Sequence, residues 1–262
     1  MKTKLLHILT LVIFFSLTCV AQKADPAEAA ANAEKGKKLL QQVIDARGGA
    51  KFLSYKTIQS SGQWSPFNDG LSVDPVPFID YVIFPDKERT EFGKAKKKKD
   101  RRLNVNYGDK GWVYDGEAET LKDQTPIQIK EFQESRESDL DALLKSAGTT
   151  KDVTISFYGR EETKPGERAD VLSLKTKSGR EFFLLIDPLT KLPMTLSYEK
   201  GGEKFEFRFN QYVEYDGVKF PNIVDLYKGR IQISRVNNNI IKLDVAIPET
   251  LFVKPASVKE VK

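Results

Sequence analysis

Carboxylates, lysines and tyrosines are the side chains with which this protein could do chemistry. Its single histidine and its single cysteine, His7 and Cys19, both lie in an apolar N-terminal segment. Imidazole and thiolate supply most zinc ligands and activate most serine and cysteine nucleophiles. The rest of the chain therefore excludes a Ser/His/Asp triad, a Cys/His dyad, a Cys/His zinc site and a thiol redox pair. We expect no bound metal and no cofactor.

A carboxylate pair is the remaining route to catalysis, because a glycosidase needs only two positioned Asp or Glu residues. The sequence offers Glu161 with Glu162, Asp139 with Asp141, and Asp225. Their sequence contexts are typical of exposed or turn positions, and no spacing selects an acid and a base among them. We predict that the protein is not an enzyme, with carboxylate-based hydrolysis of a glycan as an alternative function.

The N-terminal segment has the parts of a secretory signal peptide. Two lysines precede an apolar run over residues 5–17, and small residues lead up to Ala21. The run is shorter than the roughly 20 apolar residues that a membrane-spanning helix needs. We predict a signal peptide over residues 1–21 and export to the periplasm, in free form or associated with the outer membrane. Lipid attachment at Cys19 is the alternative to cleavage.

The charge of the chain argues against a nucleic-acid partner. A net charge of +5 over 262 residues is ordinary for a soluble protein. The densest basic cluster begins at Lys94 between two predicted strands, where a solvated hairpin loop would discourage edge pairing. The functional alternative is docking to an anionic membrane surface, at about 1 kcal/mol for each basic residue. The candidate membrane-docking residues are Lys96, Lys97, Lys98, Lys99, Arg101 and Arg102.

A first helix and a long series of strands must position these residues. Residues 22–35 are Ala-rich and predict a flexible tether, and apolar residues at helical spacing predict an amphipathic helix over residues 34–46. From Tyr55 the apolar period changes to two, and short turns between the strands indicate antiparallel neighbours. The predicted strands are residues 55–64, 78–84, 87–93, 102–107, 111–115, 153–160, 169–176, 181–186, 193–199, 203–213, 218–228, 230–236 and 240–246.

One segment interrupts the strands. Residues 126–146 lose the alternation, begin with Pro126 and place apolar residues at helical spacing around a polar middle. This pattern predicts two helical pieces or one bent helix, which we treat as a candidate lid. A sheet with two amphipathic helical segments favours a curved sheet whose concave side the helices cover.

Several motifs carry a resemblance to a known family. Residues 186–227 contain an Asp-Pro turn between two strands, a strand ending in Tyr-Asp-Gly and a Phe-Pro pair opening the next, and residues 245–255 are VAIPETLFVKP. With the signal, the first helix and the helical insertion, they make residues 36–255 similar to the outer-membrane lipoprotein-carrier and lipoprotein-sorting-like superfamily (LolA/LolB/LppX-like). The resemblance implies a mainly β (α+β) fold, an unclosed antiparallel half-barrel with helices covering the concave face. The half-barrel would be one domain, followed by a tail over residues 256–262.

The resemblance also implies a function, because members of that superfamily carry lipoproteins or lipids across the periplasm. We expect an exported, non-enzymatic, monomeric binding protein that shelters lipid or lipoprotein acyl chains in an apolar cavity. Burial of an acyl chain gains about 0.8 kcal/mol per CH₂, so large aromatic side chains are the candidate lining. A cargo-free module that docks an envelope partner protein is the alternative, and it would show the same alternation. The candidate ligand-binding residues are Trp64, Phe78, Trp112, Phe132, Phe182, Phe205, Phe207 and Phe209.

Overall fold

The computed structural model describes residues 25–94 and 97–261. The predicted signal peptide over residues 1–21 and the predicted docking residue Lys96 lie outside the described residues, as does the side chain of Lys98. Among the helices of the described part, none combines the length and the apolar character that crossing a membrane requires.

In the described part of the chain, fourteen strands form one antiparallel sheet that does not close on itself. Along the sheet the order is β7-β6-β5-β4-β3-β1-β14-β13-β12-β11-β10-β9-β8, and β2 pairs with the end of β1. The predicted fold class, mainly β with an open antiparallel sheet and helices, is confirmed. The strands are β1 (Thr57–Asn68), β2 (Leu71–Ser72), β3 (Val76–Ile83), β4 (Lys87–Phe92), β5 (Arg102–Tyr107), β6 (Lys110–Asp115), β7 (Thr120–Asp123), β8 (Val153–Lys164), β9 (Glu167–Thr176), β10 (Glu181–Ile186), β11 (Pro193–Lys200), β12 (Glu203–Tyr215), β13 (Val218–Lys228) and β14 (Ile231–Leu243).

Helix α1 (Pro26–Arg47) begins well before the sequence predicts, so residues 26–35 are helical and do not form a tether. The Asp25 carboxylate caps the first turn by accepting a hydrogen bond from the Ala27 amide at 2.9 Å. Proline at the first helical position and a run of alanines then favour the helix. The short helix α2 (Ala50–Ser54) follows.

Strand β14 is continuous, and the prediction of two separate strands over residues 230–236 and 240–246 is wrong. Three consecutive asparagines interrupt the apolar alternation and suggested a break. The strand continues because it bulges at Asn239, which lies between the residues that pair with Ser61 and Gly62 of β1. A side chain at Gly62 would collide with the Asn237 carbonyl, so glycine permits this close pairing.

Two further helices, α3 (Pro126–Ser138) and α4 (Leu140–Thr149), confirm the predicted division of the helical insertion into two pieces. Thr125 and Gln128 form a capping box at the start of α3. Asp139 separates the helices, and its carboxylate caps α4 by accepting a hydrogen bond from the Ala142 amide at 2.8 Å. One residue therefore both ends α3 and starts α4.

The main core lies between the concave face of the sheet and helices α1, α2 and α4. A second core around Trp112 lies at the β5–β6 end of the sheet, where the C-terminal segment covers it. The Trp112 indole N–H donates to the Phe252 carbonyl at 2.9 Å. The apolar strand β10 contributes to both faces, since Phe182 and Leu184 enter the main core and Leu185 packs in a small cluster on the opposite face.

A buried ionic network ties the helices to the sheet. Arg47, at the end of α1, is fully buried, and its Nη2 donates to the Asp141 carboxylate of α4 at 2.6 Å. The Arg47 Nε donates to the Lys219 carbonyl of β13 at 2.5 Å. The Tyr55 hydroxyl donates to the second Asp141 oxygen at 2.6 Å, and burial raises the pKa of this phenol well above its usual range.

Removal of one partner from this network should destabilise the fold strongly. We expect Arg47→Met to lower the free energy of unfolding by about 3–5 kcal/mol, because Asp141 stays buried without its cation. The matched control is Lys37→Met on the same helix, since Lys37 forms an exposed pair with Glu34. That control should cost about 0–0.5 kcal/mol. Urea denaturation measures both, and equal losses would contradict a structural role for the buried pair.

Candidate functional site

A cavity of about 460 Å³ lies on the concave side of the sheet, between its central strands and the junction of α3 with α4. The strands β1, β3 and β4 form one wall, and β12, β13 and β14 form the other. Residues that alternate along each strand point into the cavity, as the period of two requires. The volume is within the range of about 300–1,000 Å³ that is usual for small-molecule sites.

Most of the cavity wall is apolar. On the β1–β4 side, the Trp64 and Phe92 rings pack with centroids 5.4 Å apart. On the opposite side, aromatic side chains of β12 and β13 continue the wall toward Val236 of β14. Most of this wall offers a ligand apolar contacts and no hydrogen-bond partner. The apolar lining residues are Ile58, Trp64, Phe78, Val82, Phe84, Phe92, Leu140, Phe207, Phe209, Phe220, Pro221, Val224, Val236 and Ile241.

One end of the cavity is polar and carries carboxylates. Asp80 of β3 lies opposite Thr90 of β4, whose hydroxyl donates to the Asp80 carboxylate at 2.9 Å. Glu88 of β4 accepts from the Arg136 Nη1 at 3.2 Å, and Asp139 lies 3.7 Å from the same nitrogen. This polar end is defined by Asp80, Glu88, Thr90, Arg136 and Asp139. All five residues line the cavity.

Burial sets the electrostatics of the polar end. It raises the pKa of Asp80 well above its usual range, and the negative charge of Glu88 adds to the rise. It also raises the pKa of Glu88, against the stabilising charge of Arg136. The Arg136 Nε and Nη2 atoms are buried and have no hydrogen-bond partner among the described residues. The polar end thus holds carboxylates whose ionisation is disfavoured and two arginine donors without an acceptor among the described residues.

The structure divides the predicted ligand-binding residues into two groups. Trp64, Phe78, Phe207 and Phe209 line the cavity. The other four lie elsewhere. Phe182 is in the main core and Trp112 is in the second core. The Phe205 ring stacks on the Tyr198 ring with centroids 5.5 Å apart, and Phe132 is half-buried on α3.

The polar end is not among the predictions made from the sequence, although the residue pattern of two strands indicates it. Asp80 stands between Phe78 and Val82 on the cavity-facing side of β3, so a charged residue interrupts an apolar face. Glu88 and Thr90 do the same beside Phe92 on β4. A charge on the apolar face of a strand indicates a partner or a ligand, because an isolated buried charge is costly.

The carboxylates considered for catalysis are not all exposed, so that part of the interpretation is wrong. Asp225 is buried, and both its oxygens accept from Arg235, at 2.6 and 3.0 Å. Asp141 is buried in the network with Arg47. Within the described residues, no group of three or more Asp or Glu side chains converges as a metal site.

The described residues among the predicted membrane-docking residues differ in their exposure to solvent. Arg101 is buried and donates to the Glu91 carboxylate at 2.9 Å, which gives it a structural contact. Arg102 is exposed and lies 3.2 Å from the Glu117 carboxylate. Lys97 and Lys99 are exposed. The exposed side chains are the ones available to an anionic surface.

Comparison with known proteins identifies the fold. No known family model matches the chain, and a search of curated proteins found no match. A solved DUF1329 family protein from Desulfovibrio piger is 14% identical with a TM-score of 0.59, and covers 85% of this chain and 97% of its own. A domain described as outer membrane lipoprotein-sorting, from Vibrio parahaemolyticus, is 14% identical with a TM-score of 0.53, over 84% and 97%.

A LolA superfamily protein from Nitrosomonas europaea is 12% identical with a TM-score of 0.56, again over 84% of this chain and 97% of its own. The three matches show that the chain has a LolA-like fold, which confirms the predicted resemblance at the level of the fold. At these identities they show the fold alone.

The raised pKa of Asp80 predicts how stability depends on pH. The folded protein keeps the Asp80 proton to a higher pH than the unfolded chain, so ionisation of Asp80 lowers stability as the pH rises through that window. Asp80→Asn removes this loss and keeps an oxygen that accepts from Thr90. We expect the variant to be more stable than the wild type by on the order of 1 kcal/mol near pH 7. The advantage should shrink or reverse near pH 4.

Urea denaturation at both pH values measures this difference. Asp86→Asn is the matched control, because Asp86 is an exposed carboxylate in the turn that joins β3 to β4. Asp86→Asn should change the stability at pH 7 by less than Asp80→Asn does, because the Asp86 side chain is exposed to solvent. A pH-independent effect of Asp80→Asn would contradict the burial of a titrating carboxyl at this position.

Proposed function

We propose that the protein is an exported, non-enzymatic carrier that shelters the acyl chains of a lipid or lipoprotein in the concave cavity. The observation that carries this proposal is a cavity whose wall is mostly aromatic and aliphatic. An acyl chain that leaves water for such a wall gains about 0.8 kcal/mol per CH₂. A carrier of this kind needs an apolar cavity for its ligand and no catalytic group.

The same cavity favours a carrier over a cargo-free docking module. A docking module gains stability from a filled core, whereas large side chains such as Trp64 and Phe207 here border open space. Protein interiors are close-packed, and empty apolar space costs stability. A ligand that fills this apolar space would explain why the protein keeps it.

The helical insertion is the proposed lid, and its two helices differ in how they are held. Helix α4 buries Leu140, Leu143 and Leu144 in the main core. Helix α3 buries only Ser138 and is held by polar contacts, such as that of Lys200 with Glu134 at 2.6 Å. Polar surface contacts are worth little individually. We therefore assign the moving part of the lid to α3, with the break at Asp139 as its hinge.

The proposal places the carrier in the periplasm, after cleavage of the predicted signal peptide over residues 1–21, as a monomer. The exposed basic residues Lys97, Lys99 and Arg102 would orient it on an anionic membrane surface. The LolA-like fold supports this assignment, since one structural neighbour is described as a lipoprotein-sorting domain.

Filling of the cavity should abolish lipid uptake without loss of the fold. We expect Val236→Trp, on the cavity-facing side of β14, to weaken binding of a fluorescent probe that has an acyl chain and an uncharged head group by about tenfold or more. The indole ring would occupy space that the acyl chain needs. Ile240→Trp on the same strand is the matched control, because Ile240 is exposed.

Probe polarisation measures the affinity, and circular dichroism verifies that both variants are folded. Ile240→Trp should bind the probe like the wild type. Equal binding by the two variants would show that the probe does not occupy the cavity.

A further inference from the structure

The polar end of the cavity carries more negative than positive charge. Four carboxylates line the cavity, those of Asp80, Glu88, Asp139 and Asp141. Asp141 is already paired with the buried Arg47. The other three share Arg136, the one cation among the lining residues that the structure describes. When these groups are ionised, the polar end therefore has an uncompensated negative charge.

Asp80 contributes most to this imbalance. Its carboxylate accepts a hydrogen bond from Thr90 and forms no ion pair among the described residues. Arg136 is directed to the other two acids, with its Nη1 near Glu88 and Asp139. Asp80 is half-buried, and a carboxylate that loses part of its water without gaining a cation is costly, so a cationic group in the adjacent cavity would relieve that cost.

Arg136 supplies a second, independent observation. Its Nε and Nη2 atoms are buried and have no acceptor among the described residues, although the side chain lines the cavity. Buried donors in proteins nearly always have a partner. An oxygen atom of a ligand at the polar end would provide one.

We propose that the cavity selects amphiphiles whose head group carries a protonated amine next to an acceptor oxygen. The amine would lie among Asp80, Glu88 and Asp139, the oxygen would accept from Arg136, and the apolar chain would follow the aromatic wall. An anionic head group is disfavoured, since it would meet three carboxylates and a single cation at the polar end. This inference rests on the proposed function and adds the class of head group to it.

Three probes with the same apolar chain test the inference. Glycine dodecylamide carries an ammonium group and an amide oxygen, N-dodecylacetamide differs from it by lacking the ammonium group, and dodecanoate is an anion. We expect glycine dodecylamide to bind about tenfold or more tightly than N-dodecylacetamide, with dodecanoate the weakest. Calorimetric titration of the full protein measures all three affinities.

Asp80→Asn should remove most of the preference. It should weaken binding of glycine dodecylamide to within about twofold of N-dodecylacetamide and leave the affinity for N-dodecylacetamide unchanged. Glu206→Gln is the matched control, because Glu206 pairs with Arg208 and does not line this cavity. The control should keep the wild-type preference.

The outcomes separate the two proposals. If N-dodecylacetamide or dodecanoate binds the wild type as tightly as glycine dodecylamide, the head-group inference is overturned and the proposed carrier function stands. If none of the three probes binds, the carrier function falls and the inference falls with it.

Discussion

The buried pair of Arg47 and Asp141 is the interaction on which the arrangement of this molecule depends. It joins the end of α1 to α4, and the same arginine holds a carbonyl of β13 while Tyr55 holds the other oxygen of the carboxylate. Two helices that are far apart in sequence are thereby fixed at one place on the concave face of the sheet. Such a pair gives position more than stability, because desolvation of its charges offsets much of their attraction.

The position of α4 determines what the concave face contains. Where α1, α2 and α4 pack, the hollow of the sheet is filled and forms the main core. Beyond the break at Asp139, α3 makes mostly polar contacts and leaves the hollow between β3 and β13 unfilled. One curved sheet therefore supplies both a packed core and an apolar cavity. The carboxylates at the junction of α3 and α4 give that cavity a polar end.

Much of the fold follows from the sequence, because alternation and turns are local properties. The phenylalanines of β12 predict the strand and the face that turns inward, and the polar middle of residues 126–146 predicts the break between α3 and α4. Local patterns were misleading where a partner strand compensates. Strand β14 continues through three asparagines because it bulges at Asn239, where its register against β1 shifts.

The cavity itself could be predicted only in part, since it depends on distances between strands that are remote in sequence. The aromatic residues that line it and those that fill the cores are of the same types and all lie on predicted strands, so the sequence does not distinguish the role of Phe207 from that of Phe182. The polar end joins Asp80 to Arg136 through β4, and no spacing along the chain reveals that contact. Only the charged residues on the cavity-facing sides of β3 and β4 mark the place in the sequence.

Native mass spectrometry can show directly whether the cavity holds an acyl chain. The protein would be purified without detergent from envelope-containing cells and weighed before and after extraction with organic solvent. If the protein is a carrier, we expect a bound mass of acyl-lipid size that the solvent removes. A protein with the bare polypeptide mass, which also takes up neither glycine dodecylamide nor N-dodecylacetamide when these are added, would contradict the presence of an acyl chain in the cavity.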